Sequence, residues 1–356
     1  MKESSKRLAL LSATLMIAVL LCDLLYRWLI EPEPTVPPSI GIYDDTLGWT
    51  MRPSSSAASG ATGKNVVYTI NAAGLRDDEV ATEKPAGTLR IAFLGDSRTF
   101  GYGVPIDQHF TQLIEGYFDK VEALNFGVPG YGVDQHLLTL RTRGLQYRPD
   151  VVVAYVAHFG DHRHIHTNRF GKNKPVFEIA GDSVVAANLP VPDRFAGRGF
   201  VRRADLRMTE WSPLYRDVSG PAWRAVKAML GGAAPLEAAT AKTADDAAAF
   251  DNRLYSLALA IIRQMDRETS RANARFVLVT QLPRLHGEAT QAGILSFDAS
   301  AALANPKLAL PRGLAHINEA GNGILTWELA TFLVRQGLIP AAHHIDITKV
   351  GPGASD

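Results

Sequence analysis

The sequence predicts an α/β fold, a three-layer α/β/α domain around a parallel sheet, preceded by one apolar N-terminal helix. Three observations carry this. Apolar runs rich in β-branched residues alternate with helix-length segments from residue 88 onward. The spacing between runs is that of crossover connections, and no internal repeat interrupts the alternation. The run LRIAFLG (89–95) ends abruptly in Gly95-Asp96-Ser97, as a buried parallel strand does on meeting a loop. A helix is predicted over 107–119, a second strand at VEALNFGV (121–128) and a helix over 134–145. A third strand lies in PDVVVAYVAHF (149–159), a long helix over 247–273, a strand in RFVLVTQLP (275–283) and a closing helix over 319–336. In such sheets chemistry collects outside the carboxyl ends of the strands.

The N-terminal run Leu8–Ile30 follows Lys2, Lys6 and Arg7. At ~1.5 Å per residue it is long enough to cross a ~30 Å hydrocarbon core. Asp23 and Arg27 stand at i,i+4 and can pair near the far interface beside Tyr26 and Trp28. The expectation is a cytoplasmic stub over 1–7 and a transmembrane signal anchor over 8–30. The chain is then a single-pass protein of a cell inner membrane, with its bulk periplasmic or otherwise extracytoplasmic. A cleaved signal peptide is the alternative, and a lipidated Cys22 a third, although Leu21 stands where a small residue is expected.

Residues 31–86 read as a Pro-rich spacer and N-terminal extension, 87–340 as the main domain and 341–356 as a tail. The stretch 168–246 breaks the strand–helix alternation and is predicted to be an insertion that shapes or covers a site. Within it, KPVFEIAGDSVVAANLPV predicts a hairpin and EWSPLYRDVSGPAWRAVKAML a helical excursion. Trp211, Tyr215 and Trp223 of that excursion either stack on sugar rings or pack helices. LGGAAPLEAATAKTADDAAA is a low-complexity loop.

Composition excludes several classes. Of 356 residues, 37 are Lys or Arg and 36 Asp or Glu, a net +1 that leaves no electrostatic footprint for a nucleic-acid partner. A hydrophobic share of 46% against 21% charged excludes a mainly disordered chain. Cys22 is the one cysteine, which excludes an intrachain disulfide and a thiolate zinc cluster. No cofactor is predicted. His158, His162, His164 and His166 cluster with Asp161, and 162, 164 and 166 would share one side of an extended segment. They lack a second ligand pair at metal-binding spacing, so they are predicted to be substrate-contacting or solvated loop histidines rather than a metal site.

Gly95-Asp96-Ser97 is the sharpest motif, because it presents a serine hydroxyl at the sheet's carboxyl edge. A second copy, Gly181-Asp182-Ser183, lies between two alternating apolar runs and reads as a turn. With LGW…RP, INAAGLRDDE, IAFLGDSRTFGYGV, LNFGVPGYGVDQ, PDVVVAYVAHFGD and AHINEAG in that order, the chain resembles the SGNH (GDSL-type) hydrolase superfamily over about 47–337. The two upstream blocks resemble its membrane-anchored branch in bacterial polysaccharide loci. The resemblance implies an SGNH/flavodoxin-like sheet, with Ser97 as nucleophile and His316 as general base. It also implies an oxyanion hole from the Ser97 and Gly130 N–H groups.

Two positions depart from that pattern. Gly160 stands at the usual oxyanion asparagine, and Gly313 at the acid that usually orients the histidine. His158 is the candidate replacement donor, and Asp298 or Glu319 the candidate carboxylate. Asp96, Arg98, Asp161 and His162 are candidate substrate contacts, Arg98 being otherwise a surface ion-pair former. The implied function is an esterase or acyltransferase acting through an acyl-serine on O-acyl groups of an extracytoplasmic polysaccharide, O-acetyl foremost. Its partners are the acylated glycan, the membrane and the polysaccharide assembly machinery. The departures keep open a catalytically weak or inactive protein that binds polysaccharide or supports its assembly.

Overall fold

A computed structural model describes residues 40–59, 65–159, 164–169, 172–193, 244–310 and 316–343, with 14, 17–18 and 20–25 near the N-terminus. Gly160, Asp161, His162, Gly313, Trp211, Tyr215, Trp223, Tyr26, Arg27 and Trp28 lie outside the described residues. The chain divides into two units, one of Thr35–Asp193 with Ala244–Asp356 and the other of Met1–Pro34 with Arg194–Thr243. Among the described residues no helix is long and apolar enough to cross a membrane. Residues 20–25 are helical, and Leu20, Leu21, Leu24 and Leu25 are exposed.

The larger unit opens with two antiparallel hairpins. Strand β1 (Gly41–Asp44) pairs with β2 (Gly48–Met51), and β3 (Ser55–Ser59) with β4 (Val66–Ile70). There follow β5 (Leu89–Gly95), α1 (Ser97–Phe100), α2 (Phe110–Glu115), β6 (Val121–Gly127), α3 (Val133–Thr142) and β7 (Val151–Val156). Two small hairpins come next, β8 (Asn168–Arg169) with β9 (Lys172–Asn173), and β10 (Phe177–Ala180) with β11 (Ser183–Ala186). The chain then gives α4 (Ala244–Arg271), β12 (Arg275–Thr280), α5 (Pro283–Gln291), β13 (Ser296–Asp298) and α6 (Glu319–Arg335).

Five strands form one parallel sheet in the order β13-β12-β7-β5-β6. Successive side chains alternate between its faces. Leu94, Phe126, Val152, Ala154 and Leu278 therefore pack under α3, α4 and α5. Ile91, Phe93, Val153, Val277 and Val279 pack under α2 and α6. Covered on both faces, the strands read as continuous apolar runs, and all seven residues of β5 are buried. Leu47, Trp49, Met51, Tyr68, Ile70 and Leu75 join the first of these cores, so the N-terminal hairpins belong to the same packed body.

Several elements differ from expectation. The segment predicted as a helix over 107–119 is one 3₁₀ turn (Ile106–Gln108) followed by α2 alone. His109 divides them in extended conformation as the N-cap of α2. The polar run SSAAS (55–59) forms β3, because pairing with β4 overrides its weak strand propensity. Strand β13 and helix α5 are too short and too polar to announce themselves in the sequence. The second Gly-Asp-Ser, by contrast, is the turn expected of it, with Gly181 at φ +60° and Ser183 Oγ donating to the Ala180 carbonyl at 3.1 Å.

Strand β6 is a sheet edge, and unpaired N–H groups on an edge invite another strand. Here two carboxylates occupy them: Glu115 Oε1 accepts from Ala123 N at 2.6 Å, and Asp77 Oδ2 from Asn125 N at 2.9 Å. Asn125 Oδ1 accepts from Gly127 N at 3.0 Å. Burial pushes both carboxyls up to about 7, their mutual repulsion adding to the rise at Asp77. Both acids hold their proton more tightly folded than unfolded. The stability they confer is thus fully present below about pH 4 and is lost as pH rises through about 7. Thermal melts should show stability falling between pH 5.5 and 8, and the fall should shrink in Asp77→Asn/Glu115→Gln. The amides keep an acceptor for each strand N–H without a proton to lose.

Candidate active site

Strand β5 ends in Gly95, which is register-paired with Gly127 at the end of β6. A Cβ at Gly95 would overlap the Thr99 side chain, and one at Gly127 the backbone of Thr99 and Phe100. The two glycines thus let α1 lie hard against the strand ends. Asp96 caps this helix, its Oδ1 accepting from Arg98 N at 2.9 Å. Ser97 follows as the first helical residue, 8% exposed.

His316 reaches this serine from the far end of the chain. Its carbonyl accepts from Leu310 N at 2.8 Å, and Ile317 bridges to Ala309. Asn318 caps α6 by accepting from Gly321 N at 2.9 Å, while its Nδ2 donates to the Lys307 carbonyl at 2.7 Å. Held this way, His316 places Nε2 2.7 Å from Ser97 Oγ across 219 residues of sequence. That is hydrogen-bond distance for a nucleophile and its base.

The turn after β6 carries Gly130 at φ +87°, a conformation that favours glycine. The LGW block holds this turn in place. Trp49 Nε1 donates to the Pro129 carbonyl at 3.1 Å, Tyr131 Oη to the Trp49 carbonyl at 2.5 Å, and Gln135 Nε2 to the Leu47 carbonyl at 2.7 Å. Among the described residues no backbone acceptor faces the Ser97 and Gly130 N–H groups.

Behind α1 lies Arg76, 1% exposed, which donates to the carbonyls of Phe100 (2.8 Å), Gly101 (2.5 Å) and Val104 (2.7 Å). Burial lowers its pKa to about 10, so it stays cationic at neutral pH at the carbonyl end of the helix. His109 Nε2 lies 3.0 Å from the Arg98 carbonyl and its Nδ1 2.8 Å from Thr111 Oγ1. Burial, reinforced by the charge of Arg76, drives its pKa down to about 3. It is a neutral strut, with Nε2–H donating to the carbonyl.

No family model and no curated protein matches the sequence. Among solved structures the chain is similar to a member of the lipolytic G-D-S-L family from Veillonella parvula (12% identity, 70% of this chain and 100% of that one, TM-score 0.37). It is also similar to a psychrotrophic esterase from Pseudoalteromonas (11%, 69% and 97%, TM-score 0.38). A third is a catalytic mutant of an acetylxylan esterase from Geobacillus stearothermophilus (14%, 71% and 95%, TM-score 0.35). At these identities and TM-scores, the reading of the site rests on its own geometry.

The structure brings Ser97, His316, Asp96 and His158 together and revises several expectations. Asp96 acts as the helix cap, and its Oδ2 lies 3.9 Å from His158 Nε2. Both line a small hollow with Tyr131, His136, Tyr155 and His164. Arg98 is buried, not a surface ion-pair former, because α1 turns it into the protein. His164 is a buried histidine 2.9 Å from the Leu254 carbonyl, not a solvated loop residue. Asp298 is not the carboxylate behind His316; its Oδ1 accepts from Ser300 N at the opposite sheet edge. Glu319 opens α6. Among the described residues no group of three or more potential ligands could hold a metal.

Sequence reasoning missed Arg76, His109 and the pair Lys174–Asp134. Arg76 sits inside the flagged INAAGLRDDE block, but nothing in a lone arginine announces burial. Both members of the ion pair are fully buried, and Lys174 Nζ also donates to the Pro175 carbonyl at 2.7 Å. This pins the start of the insertion to the first turn of α3, next to the Gly130 turn. Burial lowers the Lys174 pKa, and Asp134 opposes the shift. Removing one partner strands a buried charge. Lys174→Met should therefore lower unfolding free energy by about 3–5 kcal/mol in chemical denaturation. Lys174→Met/Asp134→Leu should recover much of that loss.

Proposed function

We propose that the protein is a serine esterase or O-acyltransferase of SGNH type, working through an acyl-Ser97 intermediate. The observation that carries this is the 2.7 Å approach of His316 Nε2 to Ser97 Oγ at the carboxyl end of a parallel sheet. His316 accepts the serine proton through Nε2, which requires its Nδ1 to carry the other hydrogen. Ser97 Oγ then bonds to the acyl carbon, and the carbonyl oxygen becomes an oxyanion held by the Ser97 and Gly130 N–H groups. As the intermediate collapses, the ester C–O bond breaks and the leaving alkoxide takes the proton from His316. Water or a sugar hydroxyl next attacks acyl-Ser97, giving hydrolysis or transfer by the same steps in reverse. No metal or cofactor is needed at any step.

The substrate class we infer is an O-acylated polysaccharide, O-acetyl foremost, on the extracytoplasmic side of an inner membrane. Support comes from the ordered upstream blocks and from the apolar run Leu8–Ile30, of which Leu20, Leu21, Leu24 and Leu25 are exposed. His158, whose Nε2 lies 3.9 Å from Asp96 Oδ2, is the group we propose in place of the side chain that Gly160 lacks. A second reading, a non-catalytic glycan-binding protein, is favoured only by Gly160 and Gly313.

The full-length chain should hydrolyse p-nitrophenyl acetate, and Ser97→Ala and His316→Ala should each reduce kcat/KM by at least about a hundredfold. Equal rates for wild type and Ser97→Ala would overturn the proposal in favour of the second reading.

A further inference from the structure

We propose that Tyr102 is a positioning residue of His316, its ring packed against the imidazole. This rests on the reading of Ser97 and His316 as nucleophile and base. The rings of Tyr102 and His316 lie 4.7 Å apart, centroid to centroid, tilted by 42°. Tyr102 is 8% exposed, so the contact is sheltered from water.

Its backbone is clamped to the nucleophile helix. Tyr102 N donates to the Ser97 carbonyl at 2.9 Å, directly tying the two residues. Glycines at φ +81° (Gly101) and φ +77° (Gly103) flank it, so the chain doubles back on both sides of the ring. Gly103 N donates to Tyr68 Oη at 2.9 Å, and Arg76 holds the carbonyls of Gly101 and Val104. The Tyr68 ring lies nearly parallel to that of Tyr102, 6.5 Å away. A nucleophile at one end of α1 and a ring at the other are thus fixed in one rigid piece, and His316 bears on both.

Two consequences follow. The ring limits rotation of the imidazole and keeps Nε2 on Ser97 Oγ. Its electron-rich face also stabilises the imidazolium that forms when His316 takes the serine proton.

The test is the rate of Ser97 modification by diisopropyl fluorophosphate in the full-length chain between pH 5 and 9. In this step Ser97 Oγ bonds to phosphorus, fluoride leaves and the serine proton passes to His316. The midpoint of the rate profile reads the His316 pKa without any acyl substrate. Tyr102→Leu should lower the midpoint by about 0.5 pH unit, the scale of a modest cation–π contact, and reduce the plateau rate about tenfold. Tyr102→Met, which also lacks a π-face, should do the same and serves if the leucine variant fails to fold. Tyr102→Phe should keep the wild-type midpoint, with a plateau within about twofold of wild type. An unmoved midpoint in the leucine or methionine variant overturns the inference, and so does an equal shift in Tyr102→Phe. A wild-type chain left unlabelled at Ser97 overturns the proposed function itself, which separates the two failures.

Discussion

The close seating of α1 on the ends of β5 and β6 is the constraint on which the rest of the site depends. Four residues make a helix too short to persist alone, since one turn fixes several dihedrals for very little hydrogen bonding. It exists because Gly95 and Gly127 leave no side chains between it and the strands, and because both its ends are bonded from outside. Asp96 satisfies an amide at the start, Arg76 takes carbonyls at and just beyond the end, and His109 takes that of Arg98 between them. The serine hydroxyl inherits its position from these contacts rather than from a long rigid element.

Buried charge is concentrated around that seating. Arg76 remains cationic although nearly all its surface is covered, with three carbonyl oxygens in place of a carboxylate. Lys174 and Asp134 are buried as a pair on the far side of the Gly130 turn. Such arrangements are poor sources of net stability, because desolvation offsets much of the attraction. They tolerate few alternative geometries, however, since shifting either chain would leave a charge unpaired. Their placement beneath α1 and beside the Gly130 turn puts that intolerance where the proposed chemistry would need sub-ångström register.

The doubly covered sheet was legible in the sequence because burial on both faces writes continuous apolar runs. Strands β5, β6, β7 and β12 fall where LRIAFLG, VEALNFGV, PDVVVAYVAHF and RFVLVTQLP stand. Strand β13 was not legible: SFD has three residues, and its pairing with β12 is a tertiary event. Ser97, Gly130 and His316 could be named as candidates because each sits in a block with its own turn chemistry. The placements of Arg76, His109 and Tyr102 could not, since burial and tertiary neighbours define them. Composition and spacing carry no record of such contacts. Asp298 shows the opposite failure: a carboxylate within 20 residues of the histidine in sequence proved to lie on the opposite sheet edge.

The two upstream blocks gain a physical meaning from these contacts. LGW and INAAGLRDDE precede the first sheet strand, and in sequence they look like a leader to the domain. Trp49 and Leu47 grip the turn that carries Gly130, while Arg76 and Tyr68 grip the loop that carries Tyr102. Each half of the proposed machinery, oxyanion turn and nucleophile loop, is thus held by a different piece of the same extension. The α/β sheet alone would present the serine on an edge with nothing behind it. The hairpins convert that edge into a fixed constellation, because their backbone and side-chain bonds reach the two turns that the sheet leaves unsupported.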